Sequence, residues 1–190
     1  MKSPFYFIVK PLKGSRYDNK KEIGGVEIIT SVSKEDHKHS NRFGVVEELP
    51  LGYNGPIKKG DLFLVHHNVF KFYYDMKGRE RSSHNFFRDD LFFVDDDQYF
   101  MFYDGVSWKA HGKYCFVSPV PKKEYFLDKP GNEEPLIGIL RFSNNELKSL
   151  GYSEGDEVLF EPDSEYEFVV NGEKLYRMFT KNIKGWMTTH

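Results

Sequence analysis

The sequence predicts an all-β chain of two tandem barrel-like units, 1–108 and 109–190, the second a degenerate copy of the first. Three observations lead there. Short runs rich in Val, Ile, Phe and Tyr recur between clusters of Gly, Pro, Asn and Asp, the pattern of strands and turns. Aromatic residues make up 17% of the 190 positions, nearly all Phe and Tyr, which suits pleated, half-buried surfaces. Four landmarks also return in the same order along the chain, as an internal duplication requires.

The first unit opens with the apolar run 5–9, which ends at Lys10-Pro11 and is too short for a signal-peptide core or a membrane helix. The stretch 13–42 is polar, lacks sustained periodicity and contains Gly14, Gly24 and Gly25, so it is expected to be the most mobile or extended segment. Strand runs follow at 43–49, 62–65 and 69–74. After them come a Gly-centred hairpin at Lys77-Gly78, an insert near 79–90 that extends a hairpin, and runs at 91–94 and 99–103. The second unit places runs at 114–117, 137–142, 157–160, 166–170 and 175–179, with Asn171-Gly172 as its hairpin turn. One helical turn is predicted at 144–150, capped by Asn144 or Asn145 and stopped by Gly151.

Laying Phe5-Tyr-Phe-Ile-Val-Lys-Pro-Leu on Lys113-Tyr-Cys-Phe-Val-Ser-Pro-Val brings the rest into step. Gly44-Val45-Val46 answers Gly138-Ile139-Leu140, Gly60-Asp61 answers Gly155-Asp156, and Leu91-Phe-Phe-Val answers Leu175-Tyr-Arg-Met. In this alignment the hairpin at Lys77-Gly78 stands opposite Asn171-Gly172. The first copy is longer between Val9 and Gly44, where 13–42 carries about fourteen extra residues, and again at 79–90.

Taken together, Phe7-Ile-Val-Lys, Gly24-Gly25-Val26-Glu27-Ile28, Arg42-Phe-Gly-Val-Val and Lys58-Lys-Gly-Asp-Leu-Phe-Leu-Val resemble the bacterial co-chaperonin family, GroES and its phage-encoded relatives. The resemblance spans essentially the whole chain when the second copy counts as a degenerate repeat. It implies two tandem GroES-like irregular β-barrels, a homo-oligomeric ring, and docking of the mobile loop on the apical domains of a GroEL-like chaperonin to assist protein folding. Carried over residue by residue, Val26, Glu27 and Ile28 occupy the family's apolar tripeptide, with Ile23, Gly24, Gly25 and Ile29 beside it. Glu27 departs from the apolar middle residue. In an extended segment, alternation puts Val26 and Ile28 on one face and Glu27 on the other, so two anchors remain. The segment 48–58 is short for the family's roof hairpin and implies a more open dome. The alternative is a GroES-fold structural or assembly protein, for instance of a phage particle, that never meets a chaperonin. A docking loop should be mobile in the free protein and a structural one fixed.

Composition narrows the other classes. The 27 basic and 29 acidic side chains nearly cancel, leaving a net charge of -2 and no field to recruit nucleic acid or an anionic membrane. Cys115 is the only cysteine, which excludes an intramolecular disulfide and suits a reducing, cytoplasmic setting. Gly151-Tyr-Ser153-Glu-Gly155 matches G-x-S-x-G, but the expected order is helix, serine, strand, the reverse of a nucleophile elbow. His66-His67, His37 with His39, and Asp95-Asp96-Asp97 lack metal-ligand spacing. Medium-chain alcohol dehydrogenases have a GroES-like core, yet no dinucleotide G-x-G-x-x-G unit stands here. A non-enzymatic protein without metal or cofactor is therefore expected.

Overall fold

The computed structural model describes residues 2–14, 16, 20–23, 26–29, 41–122 and 133–187. The chain divides into two compact units, Met1–Ser107 and Trp108–His190. The first contains β1 (Phe7–Pro11), β2 (Lys20–Ile23), β3 (Val26–Ile29), β4 (Phe43–Glu48), β5 (Leu62–Val65), β6 (Phe72–Tyr74), β7 (Glu80–Ser82), β8 (Phe86–Arg88), β9 (Leu91–Val94) and β10 (Tyr99–Tyr103). The second contains β11 (Trp108–Ala110), β12 (Tyr114–Pro121), β13 (Glu133–Phe142), α1 (Asn145–Ser149), β14 (Glu157–Phe160), β15 (Tyr166–Val170), β16 (Glu173–Phe179) and β17 (Ile183–Met187). The chain is all-β but for that one helix among the described residues, and the helix is far too short to cross a membrane.

Within each unit, six strands of the main sheet follow the same order. In the first unit they run β10-β5-β4-β1-β9-β8 and in the second β17-β14-β13-β12-β16-β15, antiparallel throughout. Among the described residues both orders are open, ending on β8 and on β15, so neither sheet closes into a barrel through its hydrogen bonds. The register repeats as well. Val9 pairs with Val46 and Pro11 with Gly44; Val117 pairs with Leu140 and Pro119 with Gly138. On the other side Val9 meets Phe92 and Val117 meets Tyr176. Even the irregularities correspond: the register shifts between Ile8 and Val9 as between Phe116 and Val117, and between Tyr99 and Met101 as between Ile183 and Gly185 in its pairing with β14.

The repeated glycines have a physical reason. A Cβ on Gly44 would lie 2.4 Å from Val9 Cγ1, and one on Gly138 would lie 2.2 Å from Val117 Cγ1, so each first strand packs where only glycine fits. Gly60 and Gly155 hold φ of 94° and 100°, which other L residues rarely adopt. The following aspartate closes the turn. Asp61 Oδ2 accepts from Lys58 N–H at 2.8 Å and Asp156 Oδ2 from Ser153 N–H at 2.7 Å. Its carbonyl then accepts from Val46 N–H or Leu140 N–H, at 2.9 and 2.8 Å, stitching the turn to the preceding strand.

Each unit has its own core. Phe7, Val9, Val46, Phe63, Val65 and Val94 are buried in the first, and Cys115, Val117, Leu140, Val158, Phe160 and Met178 take the matching places in the second. The volumes are redistributed rather than copied: Phe7 faces Tyr53, Phe63 and Tyr99 edge-on at 5.0–5.6 Å, whereas Cys115 is small and Leu147 of α1 joins its cluster. The helix is capped as its sequence predicts, with Asn144 Oδ1 accepting from Leu147 N–H at 2.8 Å and Gly151 at φ 92° beyond its end.

One expectation is corrected. The extra hairpin of the first unit is β6–β7, at 72–82 around Lys77-Gly78, and not the segment 79–90. The partner of Asn171-Gly172 is the turn Asp89-Asp90 between β8 and β9, where both aspartates hold positive φ, 49° and 57°. Aspartate tolerates that left-handed conformation, so the turn needs no glycine and escapes a search for one.

Candidate functional site

The first unit's long excursion between β1 and β4 is where the expected docking residues fall. Lys20 pairs with Ile29, Lys21 with Ile28, Glu22 with Glu27 and Ile23 with Val26, so β2 and β3 form an antiparallel hairpin. Ile23, Val26, Glu27, Ile28 and Ile29 therefore lie on paired backbone within ten consecutive positions; Gly24 and Gly25, between the strands, lie outside the described residues, as do 30–40 with His37 and His39.

Hydrogen bonds from Asn41 close the neck of the excursion. Asn41 N–H donates to the Arg16 carbonyl at 2.9 Å, which ties the returning chain to the departing one. The Asn41 side chain donates to the Leu12 carbonyl at 3.0 Å and accepts from Phe43 N–H at 2.9 Å, completing an Asx-type closure next to β4.

Arg16 then reaches away from the neck. Its Nε and Nη2 lie 2.9 and 2.8 Å from Asp90 Oδ1, and Nη1 donates to Ser82 Oγ at 3.1 Å. Its Cζ stands 4.3, 4.6 and 4.9 Å from the ring centres of Phe72, Phe86 and Phe92. The side chain is only 12% exposed. A planar, weakly hydrated guanidinium suits such a place, since it stacks on π-faces while its rim donates. Nothing in the sequence marks this residue: it is one cation in a polar stretch.

The second unit fastens its own connection to the equivalent strand. Glu133, at the start of β13, accepts from Lys174 Nζ at 2.8 Å and from the Tyr176 hydroxyl at 2.5 Å. The hydrogen bond from Lys174, joined by that from Tyr176, holds the Glu133 carboxyl below its ordinary range. In return, the Glu133 carboxylate raises Lys174. By register Tyr176 corresponds to Phe92, and Lys174 therefore to Asp90.

The other sequence motifs resolve into turns. His66 and His67 lie with ring centres 4.1 Å apart, and His66 Nδ1 accepts from Asn68 N–H. Asp95 and Asp96 serve a tight turn: Asp95 Oδ1 accepts from Asp96 N–H and Asp96 Oδ1 from the buried Tyr99 hydroxyl. Ser153 sits after α1 and before β14, with its N–H on Asp156, so no strand-to-helix elbow presents it. Burial pushes the Cys115 thiol up to about 12, far from a reactive thiolate. Among the described residues no group of three or more His, Cys, Asp or Glu side chains is placed to hold a metal ion.

Exposed apolar side chains are spread over both units, and on the extra hairpin Tyr73, Tyr74 and Met76 face solvent. Asp75 closes its tip: Oδ1 accepts from Lys77 N–H and Arg79 N–H, and Oδ2 from Arg79 Nε and Arg81 Nε. No protein-family model and no curated protein matches this chain.

Proposed function

We propose that the chain is a co-chaperonin-like cap: a tandem GroES-like protein that assembles as a cytoplasmic homo-oligomeric ring and presents 23–29 to the apical domains of a chaperonin. The observation that carries this reading is a hairpin that pairs Ile23 with Val26 and carries Ile28 and Ile29 along its second strand, set on a long excursion with a closed neck between two strands of a duplicated sheet. The matching connection of the second unit, between β12 and β13, is shorter. A paired, extended segment with apolar residues on both strands is suited to lie in an apolar groove.

Energetics support a ring over a single subunit. Burying Val26 or Ile28 contributes about 1.5–3 kcal/mol each. Each loop residue not already paired in the free protein costs about 1–2 kcal/mol to order, so one loop binds weakly. Several loops on one frame bind with linked avidity, about 10² to 10⁴ for each added pair.

The test is size-exclusion chromatography with a GroEL-like chaperonin, with and without nucleotide. The protein should co-elute with the chaperonin when nucleotide is present, as an oligomer. The pair Val26→Ser and Ile28→Ser should abolish co-elution and leave the oligomer and its melting temperature unchanged. A tight complex formed by a monomer at micromolar concentration, or no co-elution in any nucleotide state, overturns the proposal.

A further inference from the structure

We infer that Arg16 is a positioning residue, a latch that fixes the neck of the long excursion against the β8–β9 turn and the β6–β7 hairpin and so sets where 20–29 leaves the unit. The functional meaning of the latch rests on the docking reading above; its geometry does not.

Both segments that enlarge the first unit relative to the second meet on this one side chain. The excursion supplies Arg16 itself, the extra hairpin supplies Phe72 and Ser82, and the shared β8–β9 pair supplies Phe86, Asp90 and Phe92. The backbone of the same residue accepts the Asn41 N–H, so holding the guanidinium holds the departing chain and, through it, the returning chain. An ammonium cannot replace it. Lysine has no planar face to stack between three rings and no fork to reach Asp90 and Ser82 together.

The second unit gives independent support. There the connection is fastened by Glu133 to Lys174 and Tyr176, the register equivalents of Asp90 and Phe92. The same two strand positions thus hold the inter-strand connection in both units, with the charges exchanged. A chance surface ion pair would not fall twice on equivalent positions.

Amide hydrogen exchange by NMR on the full chain tests the latch. Arg16→Ala and Arg16→Lys should each accelerate exchange of the Asn41 amide by about tenfold or more, and also that of the paired amides within 20–29. Asp90→Asn should give a smaller acceleration at Asn41. The Val46 amide, bonded to the Asp61 carbonyl, should exchange at its original rate in every variant and reports that the sheet is intact. If Arg16→Ala disturbs folding at Val46, Arg16→Lys and Asp90→Asn still decide. An Asn41 rate in Arg16→Lys equal to that of the unmodified protein reduces the contact to an exchangeable ion pair and overturns the inference, whatever the chaperonin result. If Asn41 accelerates while the unmodified protein never co-elutes with a chaperonin, the latch stands and the docking reading fails.

Discussion

Gly138→Ala is the sharpest probe of the repeated sheet. The added methyl would stand 2.2 Å from Val117 Cγ1 and 2.8 Å from the Ser118 carbonyl oxygen. Carbon atoms pack at about 3.5–4.0 Å, so the first contact is more than about 1 Å too short. Val117 is fully buried and can turn aside only into other core side chains, while the Ser118 oxygen belongs to the backbone and moves only if β12 moves. Overpacking of this kind costs about 1–3 kcal/mol. In a unit of this size each kcal/mol lowers Tm by about 4–8 °C, so calorimetry should find the second unit melting at least several degrees earlier. Gly185→Ala is the control: an added methyl there meets nothing within 4 Å, and the melting temperature should hold or rise slightly. Adding Val117→Ala to Gly138→Ala removes one clash and leaves the other. The double variant should therefore be more stable than the sum of the single effects by at least about 0.5 kcal/mol. If Gly138→Ala melts with the unmodified protein, or the two changes are additive, the close approach of β12 and β13 is not what demands glycine.

Two further outcomes follow from the second unit. Glu133 has its folded-state pKa below the ordinary 4.5, first through the hydrogen bond from Lys174. Its contribution is therefore present above that ordinary value and is lost as pH falls through the lowered one. Thermal melts from neutral pH to pH 3 should show Glu133→Gln destabilised near neutrality, with the gap closing in acid; a constant gap would remove the ion pair as the cause. Asn144→Ala should lower stability by more than the usual cap loss of about 1 kcal/mol. The buried amide also donates to the Tyr114 carbonyl and Thr180 Oγ1, at 3.1 and 2.7 Å. Denaturant titration reads this, and a loss of about 1 kcal/mol or less would contradict it.

Sequence carried much of the fold because the repeated features are backbone demands. Gly44 and Gly138 mark a close crossing, and Gly60 and Gly155 a positive φ before an aspartate that closes the turn. Such requirements survive when the core between them is repacked, as Phe7 and Cys115 show. Strands that lean on a partner were harder to read. β8, β11 and β17 are short or interrupted by polar residues, and β2 and β3 lie in a stretch with no apolar period. Arg16 left no signal at all. Its polar partners, Ser82 and Asp90, are 66 and 74 residues away, and only the folded sheet brings them together.

The exchange of charge between the two fastenings gives each unit a private address. A segment carrying Arg16 and grafted between β12 and β13 would bring a guanidinium to Lys174, and one carrying Glu133 and grafted between β1 and β4 would bring a carboxylate to Asp90. Like charges repel in both chimeras, so two units alike enough to accept each other's strands are kept from accepting each other's connections. Engineers who wish to move the long segment between units must move its strand partner with it.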